Sequence, residues 1–128
     1  MKFPRNKESS LDVAGRRISG YESSPVLARV FSAAQECLDD GKYSVENVAA
    51  KLSMTRGHLY RLVKERTGRS VSSLLDDYRF VRAASLLESG NFTVTQVAYQ
   101  SGYSDLAHFS IAFKRFSGMS PSKYRSGR

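Results

Sequence analysis

Residues 44–70, SVENVAAKLSMTRGHLYRLVKERTGRS, are echoed by residues 93–120, TVTQVAYQSGYSDLAHFSIAFKRFSGMS. Ser44, Val45, Val48, Ala49 and Thr55 pair with Thr93, Val94, Val97, Ala98 and Ser104 at an offset of 49. From Leu59 onward the offset is 50, pairing Leu59, Val63, Lys64, Gly68 and Ser70 with Phe109, Phe113, Lys114, Gly118 and Ser120. Each copy opens on a hydroxyl residue suited to an N-cap, carries apolar residues at helical spacing, and closes a second amphipathic stretch with glycine. That is helix, tight turn, helix, and a tandem pair in a basic chain points to two probes for one DNA duplex.

Outward from the repeat, every further segment also reads as helix. Pro25 suits a first helical turn, and Leu27, Val30, Phe31, Ala34, Cys37 and Leu38 follow at helical spacing up to the stop at Gly41. In the first copy Thr55 caps a helix with Leu59, Leu62 and Val63 inward, and in the second Ser104 caps one with Phe109, Ala112, Phe113 and Phe116 inward. Ser70 starts a long helix to about Ser89, whose apolar residues spread around most of its circumference and predict packing against both copies. Ser120 and Pro121 open a short terminal helix. The fold class expected is all-α, with about seven helices: a first helix-turn-helix subdomain over 26–69, a linking helix over 70–90 and a second subdomain over 91–128. Residues 1–25 read as a mobile tail of net charge +2.

The 128 residues carry 20 Lys and Arg against 12 Asp and Glu, a formal +8, which favours a polyanionic partner. No stretch approaches the roughly 18 apolar residues of a membrane span, and no apolar segment follows the charged start, so the chain is expected in the reducing cytoplasm. Cys37 stands alone on an apolar helix face, a place for a buried thiol rather than a disulfide or a zinc site. His58 and His108 have no second ligand at metal spacing, and the chain has no phosphate loop, nucleophile elbow or paired catalytic carboxylates. Neither a metal, a cofactor nor a catalytic residue is expected.

If the second helix of each copy enters a major groove, its outward residues carry the recognition. In the first these are Arg56, Gly57, Tyr60 and Arg61; Arg61 lies two residues from both Leu59 and Val63 and points away from the core, where its guanidinium suits a bidentate bond to guanine. In the second, the position equivalent to Arg61 is Ile111, a residue suited to thymine methyl groups, with Ala107, His108 and Ser110 near it. Residues 55–67 hold four basic residues against Glu65, for +3, whereas residues 104–117 hold Lys114 and Arg115 against Asp105, for +1. The first copy is therefore expected to discriminate bases, and the second to read weakly or by shape. Candidate phosphate contacts are Lys64, Lys114 and Arg115, the helix N-termini opened by Ser44, Thr93 and Ser120, and Lys123 and Arg125 near the chain end. Roughly 19 residues in the linking helix give about 28 Å, close to the spacing of about 34 Å between successive major grooves on one face of B-DNA.

With these residues assembled, the chain resembles the DNA-binding domain of the AraC/XylS transcriptional regulators. The resemblance runs from about Pro25 to Arg125 and is most specific in VTQVAYQSGYSDLAHFSIAFKRFSGMSPSKYR, with SVENVAAKLSMTRGHLYRLVKERTG and YRFVRAASLL in support. It implies promoter binding to double-stranded DNA and activation through RNA polymerase. Matched position by position, the family's base-reading residues are Gly57, Tyr60 and Arg61 in the first groove helix, and Leu106, Ala107, Ser110 and Ile111 in the second. Two positions depart from the family pattern: Ile111, where arginine is frequent, and Ser53, where glycine is frequent in the first turn and serine implies a strained one. Most members also carry an effector or dimerisation domain, for which 128 residues leave no room. The implied alternatives are a stand-alone regulator that binds DNA as a monomer, favoured by the Met1 start, or the DNA-binding part of a longer one. The competing function is a protein-interaction module that binds a regulator or polymerase subunit without reading DNA; an enzymatic role, as in a DNA-repair fusion, would require an exposed, activated Cys37.

Overall fold

Helix ends in this chain are set by local chemistry that the sequence makes visible. The computed structural model describes residues 24–127, so the expected tail lies outside it except for Ser24 and Pro25. Seven helices follow, with no strand among the described residues: α1 (Pro25–Asp39), α2 (Val45–Lys51), α3 (Arg56–Thr67), α4 (Val71–Ser89), α5 (Val94–Gln100), α6 (Leu106–Ser117) and α7 (Pro121–Gly127). Ser24, Ser44, Thr55 and Thr93 cap α1, α2, α3 and α5, each side chain accepting an otherwise orphaned amide of the first turn. At α5 the cap is reciprocal, because Gln96 Oε1 also accepts the Thr93 amide at 2.8 Å. Ser70 and Ser120 act likewise at α4 and α7, accepting from the amides of Ser73 and Lys123.

One cap differs from the sequence expectation. Asp105, not Ser104, caps α6, its Oδ1 accepting from the amides of Ala107 and His108. A carboxylate at this position gains from the helix dipole as well as the hydrogen bonds, which a serine one residue earlier cannot match. The register of the repeat therefore changes inside the turn: α3 and α6 are offset by 50 from their first residue to their last, and Ser104 is the extra residue. Both helices end on a left-handed glycine, Gly68 and Gly118, whose amides return to Lys64 and Lys114 carbonyls.

The described chain divides into two compact units, residues 24–78 and 79–127, with α4 contributing Val71–Tyr78 to the first and Arg79–Ser89 to the second. The first has a largely aliphatic core of Leu27, Val30, Leu38, Val48, Leu59, Val63, Val71, Leu74 and Leu75. Phe31 stacks on Tyr78 at 5.2 Å, and Tyr78 donates its hydroxyl to Gln35 while Tyr43 donates to the Leu75 carbonyl. The second core is aromatic: Phe80 meets Phe113 and Phe116, Phe109 meets Tyr103 and Phe113, and Tyr124 packs edge-on to Phe113 with its hydroxyl on Glu88. Edge-to-face and tilted pairs of this kind add about 0.5–1.5 kcal/mol each beyond their burial. Each unit thus uses its part of α4 as a wall, as the apolar spread around that helix implied. No helix among the described residues is long and apolar enough to cross a membrane.

The two turns close on the same backbone hydrogen bonds. The Ser53 and Met54 amides bond the carbonyls of Ala50 and Ala49, and the Gly102 and Tyr103 amides bond those of Tyr99 and Ala98. That path needs a left-handed residue, which glycine supplies at Gly102 with φ 89°, whereas Ser53 adopts φ 57° against its Cβ. Replacing Ser53 by glycine is therefore expected to leave stability unchanged or raise it by up to about 1 kcal/mol, while Gly102→Ala lowers it by about 1 kcal/mol; urea denaturation of both variants checks the pair, and equal shifts would refute the turn argument. For the cap, Asp105→Ala should cost about 1 kcal/mol and Ser104→Ala less than about 0.5 kcal/mol, and a reversed order in the same titration would restore Ser104 as the cap.

Candidate nucleic-acid interface

Burial of residues four apart decides what α3 shows to solvent. Leu59 and Val63 are fully buried, Leu62 is half-buried at the edge, and Arg56, Gly57, Tyr60, Arg61 and Lys64 form one exposed strip on the opposite side. Tyr60 is 49% exposed, a large aromatic surface that the core does not use. A Cβ at Gly57 would stand 3.7 Å from Arg61 Nη1, so the guanidinium lies back along the helix over Gly57, toward the helix N-terminus. Arg56 is engaged differently, donating from Nη1 to Glu46 Oε2 of α2 at 2.9 Å. Both side chains of that pair are more than half exposed, so the ion pair is worth no more than about 1 kcal/mol and yields readily to a stronger anion.

The same rule builds the face of α6. Phe109, Phe113 and Phe116 are buried, Ala112 is half-buried like Leu62, and Leu106, Ala107, Ser110, Ile111 and Lys114 line the outer strip. At the offset of 50 this strip matches Arg56, Gly57, Tyr60, Arg61 and Lys64 position for position. Ile111 is 59% exposed and Leu106 38%, while Ser110 is half-buried. His108 and Arg115 flank the strip and are exposed; His108 Nδ1 lies 3.5 Å from Asp105 Oδ2, on the side of the cap.

The cations expected at phosphates occupy several local settings. Lys64 Nζ donates to the Gly68 carbonyl at 3.2 Å, placing its charge at the negative end of α3. Lys114 holds the equivalent exposed position in α6, and Lys123 is exposed on α7. Arg125 has a structural engagement that its sequence position did not show: Nε donates to the Phe92 carbonyl at 2.7 Å and Nη2 to that of Gly90 at 3.2 Å, tying α7 to the loop after α4. Ser44, Thr93 and Ser120 each spend an acceptor on their own helix, at Asn47, Gln96 and Lys123. Glu46 and Asp105 modify the site in roles that the sequence alone did not assign, Glu46 as the partner of Arg56 and Asp105 as the cap of α6. Asp105 had a signal, since it lies 50 residues after Thr55; Glu46 had none, because its partner Arg56 is on another helix.

The remaining reactive group is withdrawn from solvent. Cys37 is buried in α1, and burial pushes its thiol pKa up, partly offset by Lys51 and reinforced by Asp40 and Glu36. A thiol so placed is a poor source of nucleophilic thiolate. Lys51 itself is held by Asp40 at 2.9 Å and Glu36 at 3.5 Å, which neutralises its charge away from the α3 strip.

Residues 48–127 match the family described as a helix-turn-helix domain, nearly all of both bihelical elements. The chain belongs to the AraC-type helix-turn-helix family. Among AraC-type relatives, the HTH-type transcriptional activator RhaS of Citrobacter koseri is 36% identical over 83 residues, 65% of this chain and 30% of that protein. The C-terminal domain of AraT, a response regulator from Geobacillus stearothermophilus, superposes with a TM-score of 0.70 at 33% identity, covering 82% of this chain and 87% of that one. The DNA-binding domain of AdpA, a global transcriptional factor solved in complex with a target DNA, gives 0.62 at 27% identity, over 76% and 89% of the two chains. This chain spans about 30% of the length of the curated AraC-type relatives it matches.

Because Arg125 bridges two carbonyls, its removal should be felt in stability before binding. Arg125→Ala is expected to lower unfolding stability by about 1–2 kcal/mol, as hydrogen bonds from a charged donor do, measured by thermal or urea denaturation without DNA. An unchanged midpoint with weaker DNA binding would make Arg125 a phosphate contact alone.

Proposed function

We propose that this chain is a sequence-specific, double-stranded DNA-binding transcription regulator of the activator type, with α3 and α6 each entering a major groove. The observation that carries the reading is the α3 strip: Arg56, Gly57, Tyr60, Arg61 and Lys64 exposed together on a helix whose other face buries Leu59 and Val63. Arg61 reads a base through a bidentate bond to guanine, Tyr60 packs beside it, and Gly57 lets the backbone come close to the duplex. Arg56 joins by exchanging Glu46 for a base edge or phosphate. Lys64, Lys114, Arg115, Lys123 and the capped N-termini at Ser44, Thr93 and Ser120 set the register on the backbone, with Arg125 contributing from its bridge.

Several observations support this reading. The formal charge of +8 suits a polyanion, and the AdpA relative was solved on its target DNA. RhaS is named a transcriptional activator, which supports activation as the sign of regulation; RNA polymerase as second partner and a cytoplasmic setting are part of the proposal. Two groove helices in one chain give two base boxes without a second copy, which supports binding as a monomer. Selection of bound sequences from a random duplex pool tests all of this together: two boxes are expected, and their separation measures whether successive grooves are used. Failure to bind any duplex at low salt would favour the protein-interaction module instead.

Two substitutions separate base reading from phosphate contact. Arg61→Ala is expected to cost about 1–3 kcal/mol on the selected site and relax preference at one base pair; equal losses on selected and random DNA would reduce Arg61 to a phosphate contact. Lys114→Ala should weaken binding regardless of sequence and lower the slope of log K against log salt by about one. A slope that does not move would remove Lys114 from the backbone.

A further inference from the structure

The outer strips of α3 and α6 occupy equivalent positions yet carry opposite chemistry. Where α3 presents Arg56, Tyr60 and Arg61, all able to hydrogen-bond, α6 presents Leu106, Ser110 and Ile111. Ala107 stands where α3 has Gly57. Leu106, Ala107 and Ile111 have no side-chain donor or acceptor, so none of them can read a base by its hydrogen-bonding edge. Ser110 can bond to any base and therefore discriminates little. His108 is set to one side by the Asp105 carboxylate.

The apolar strip is not a leftover of core packing. Phe109, Phe113, Phe116 and Tyr124 already fill the second core, and Ile111 points away from them with 59% of its surface in solvent. Lys114 continues the same strip one turn beyond Ser110, and Arg115 lies beside it, so the apolar residues are bounded by cations. An apolar centre with a cationic end fits a duplex groove, whose floor carries one apolar group, the C5 methyl of thymine, between phosphate walls.

We infer that α6 recognises its half of the site through pyrimidine C5 methyl groups, so that thymine and 5-methylcytosine are equivalent to it. The inference deepens the proposed function and rests on α6 being a groove helix. It replaces weak or shape-based reading in the second box with a definite chemical feature. It also makes cytosine methylation within that box a way to create or strengthen a site, because the added methyl occupies the same place in the major groove as that of thymine.

The test uses the full chain and four versions of a selected duplex. The α3 box is the one in which a base pair loses its preference in Arg61→Ala, and the α6 box is the other. At each thymine of that box, affinity is measured with thymine, deoxyuridine, cytosine and 5-methylcytosine, the purine opposite being matched to each. Removing one methyl is expected to weaken binding about fourfold, the transfer free energy of one buried methylene expressed as an affinity ratio. The expected order at one or two positions is thymine and 5-methylcytosine together, above deoxyuridine and cytosine together. Ile111→Ala, a change at an exposed position, should keep the fold by circular dichroism and flatten those differences while leaving the α3 box unchanged. An affinity that follows the base pair instead, with thymine equal to deoxyuridine, overturns the inference, as does indifference to all four bases or a methyl effect that persists in Ile111→Ala. Each of those outcomes leaves the proposed function standing; loss of all duplex binding by the parent chain would remove both.

Discussion

A helix that buries residues four apart has only its opposite face left for anything else, and that constraint organises both recognition helices. Leu59 with Val63 and Phe109 with Phe113 are fully buried, each side chain contributing about 1.5–3 kcal/mol. Substitutions at exposed positions of the opposite strip, Gly57 apart, usually move stability by about 0.5 kcal/mol or less. Folding therefore fixes which positions face outward and leaves their chemistry free. The contrast between Arg61 and Ile111 lives entirely on that unconstrained strip, where it can change partner recognition without touching the core.

The copies share a backbone path more closely than they share residues. Both turns bond the amides after the first helix to the same pair of carbonyls, at Ala49 and Ala50 or at Ala98 and Tyr99. Ala49 and Ala98, whose carbonyls accept the turn amides, are almost fully buried. Around this frame the means differ: Ser53 or Gly102 in the left-handed position, Thr55 or Asp105 as cap, aliphatic or aromatic side chains inside. What is held constant is the hydrogen-bonded path through Met54 or Tyr103, after which the second turn takes one residue more before its cap.

Much of the architecture was legible because it depends on near neighbours. Ser44, Thr93 and Ser120 satisfy amides three residues away, and Gly68 and Gly118 close helices by a backbone conformation that glycine adopts without strain. Ser104 was the exception: two adjacent residues were both able to cap α6, and the one that does, Asp105, is the one the offset of 50 pairs with Thr55. The outward strips followed from helical period alone, including the position of Ile111. Less legible were charges whose meaning depends on distant groups. Arg56 reads as a free cation until Glu46 appears 2.9 Å away, and Arg125 as a tail cation until it bridges Phe92 and Gly90.

The sequence by itself determined the repeat, the seven helices, the two buried stripes and the outward residues, since all of these follow from periodicity and from bonds within about four residues. The tertiary structure decided which cations are already engaged, and by which partners. Those engagements depend on how segments ten to thirty-five residues apart meet, as Glu46 meets Arg56 and Gly90 meets Arg125. A charge is set by its residue type, whereas its partner is set by packing.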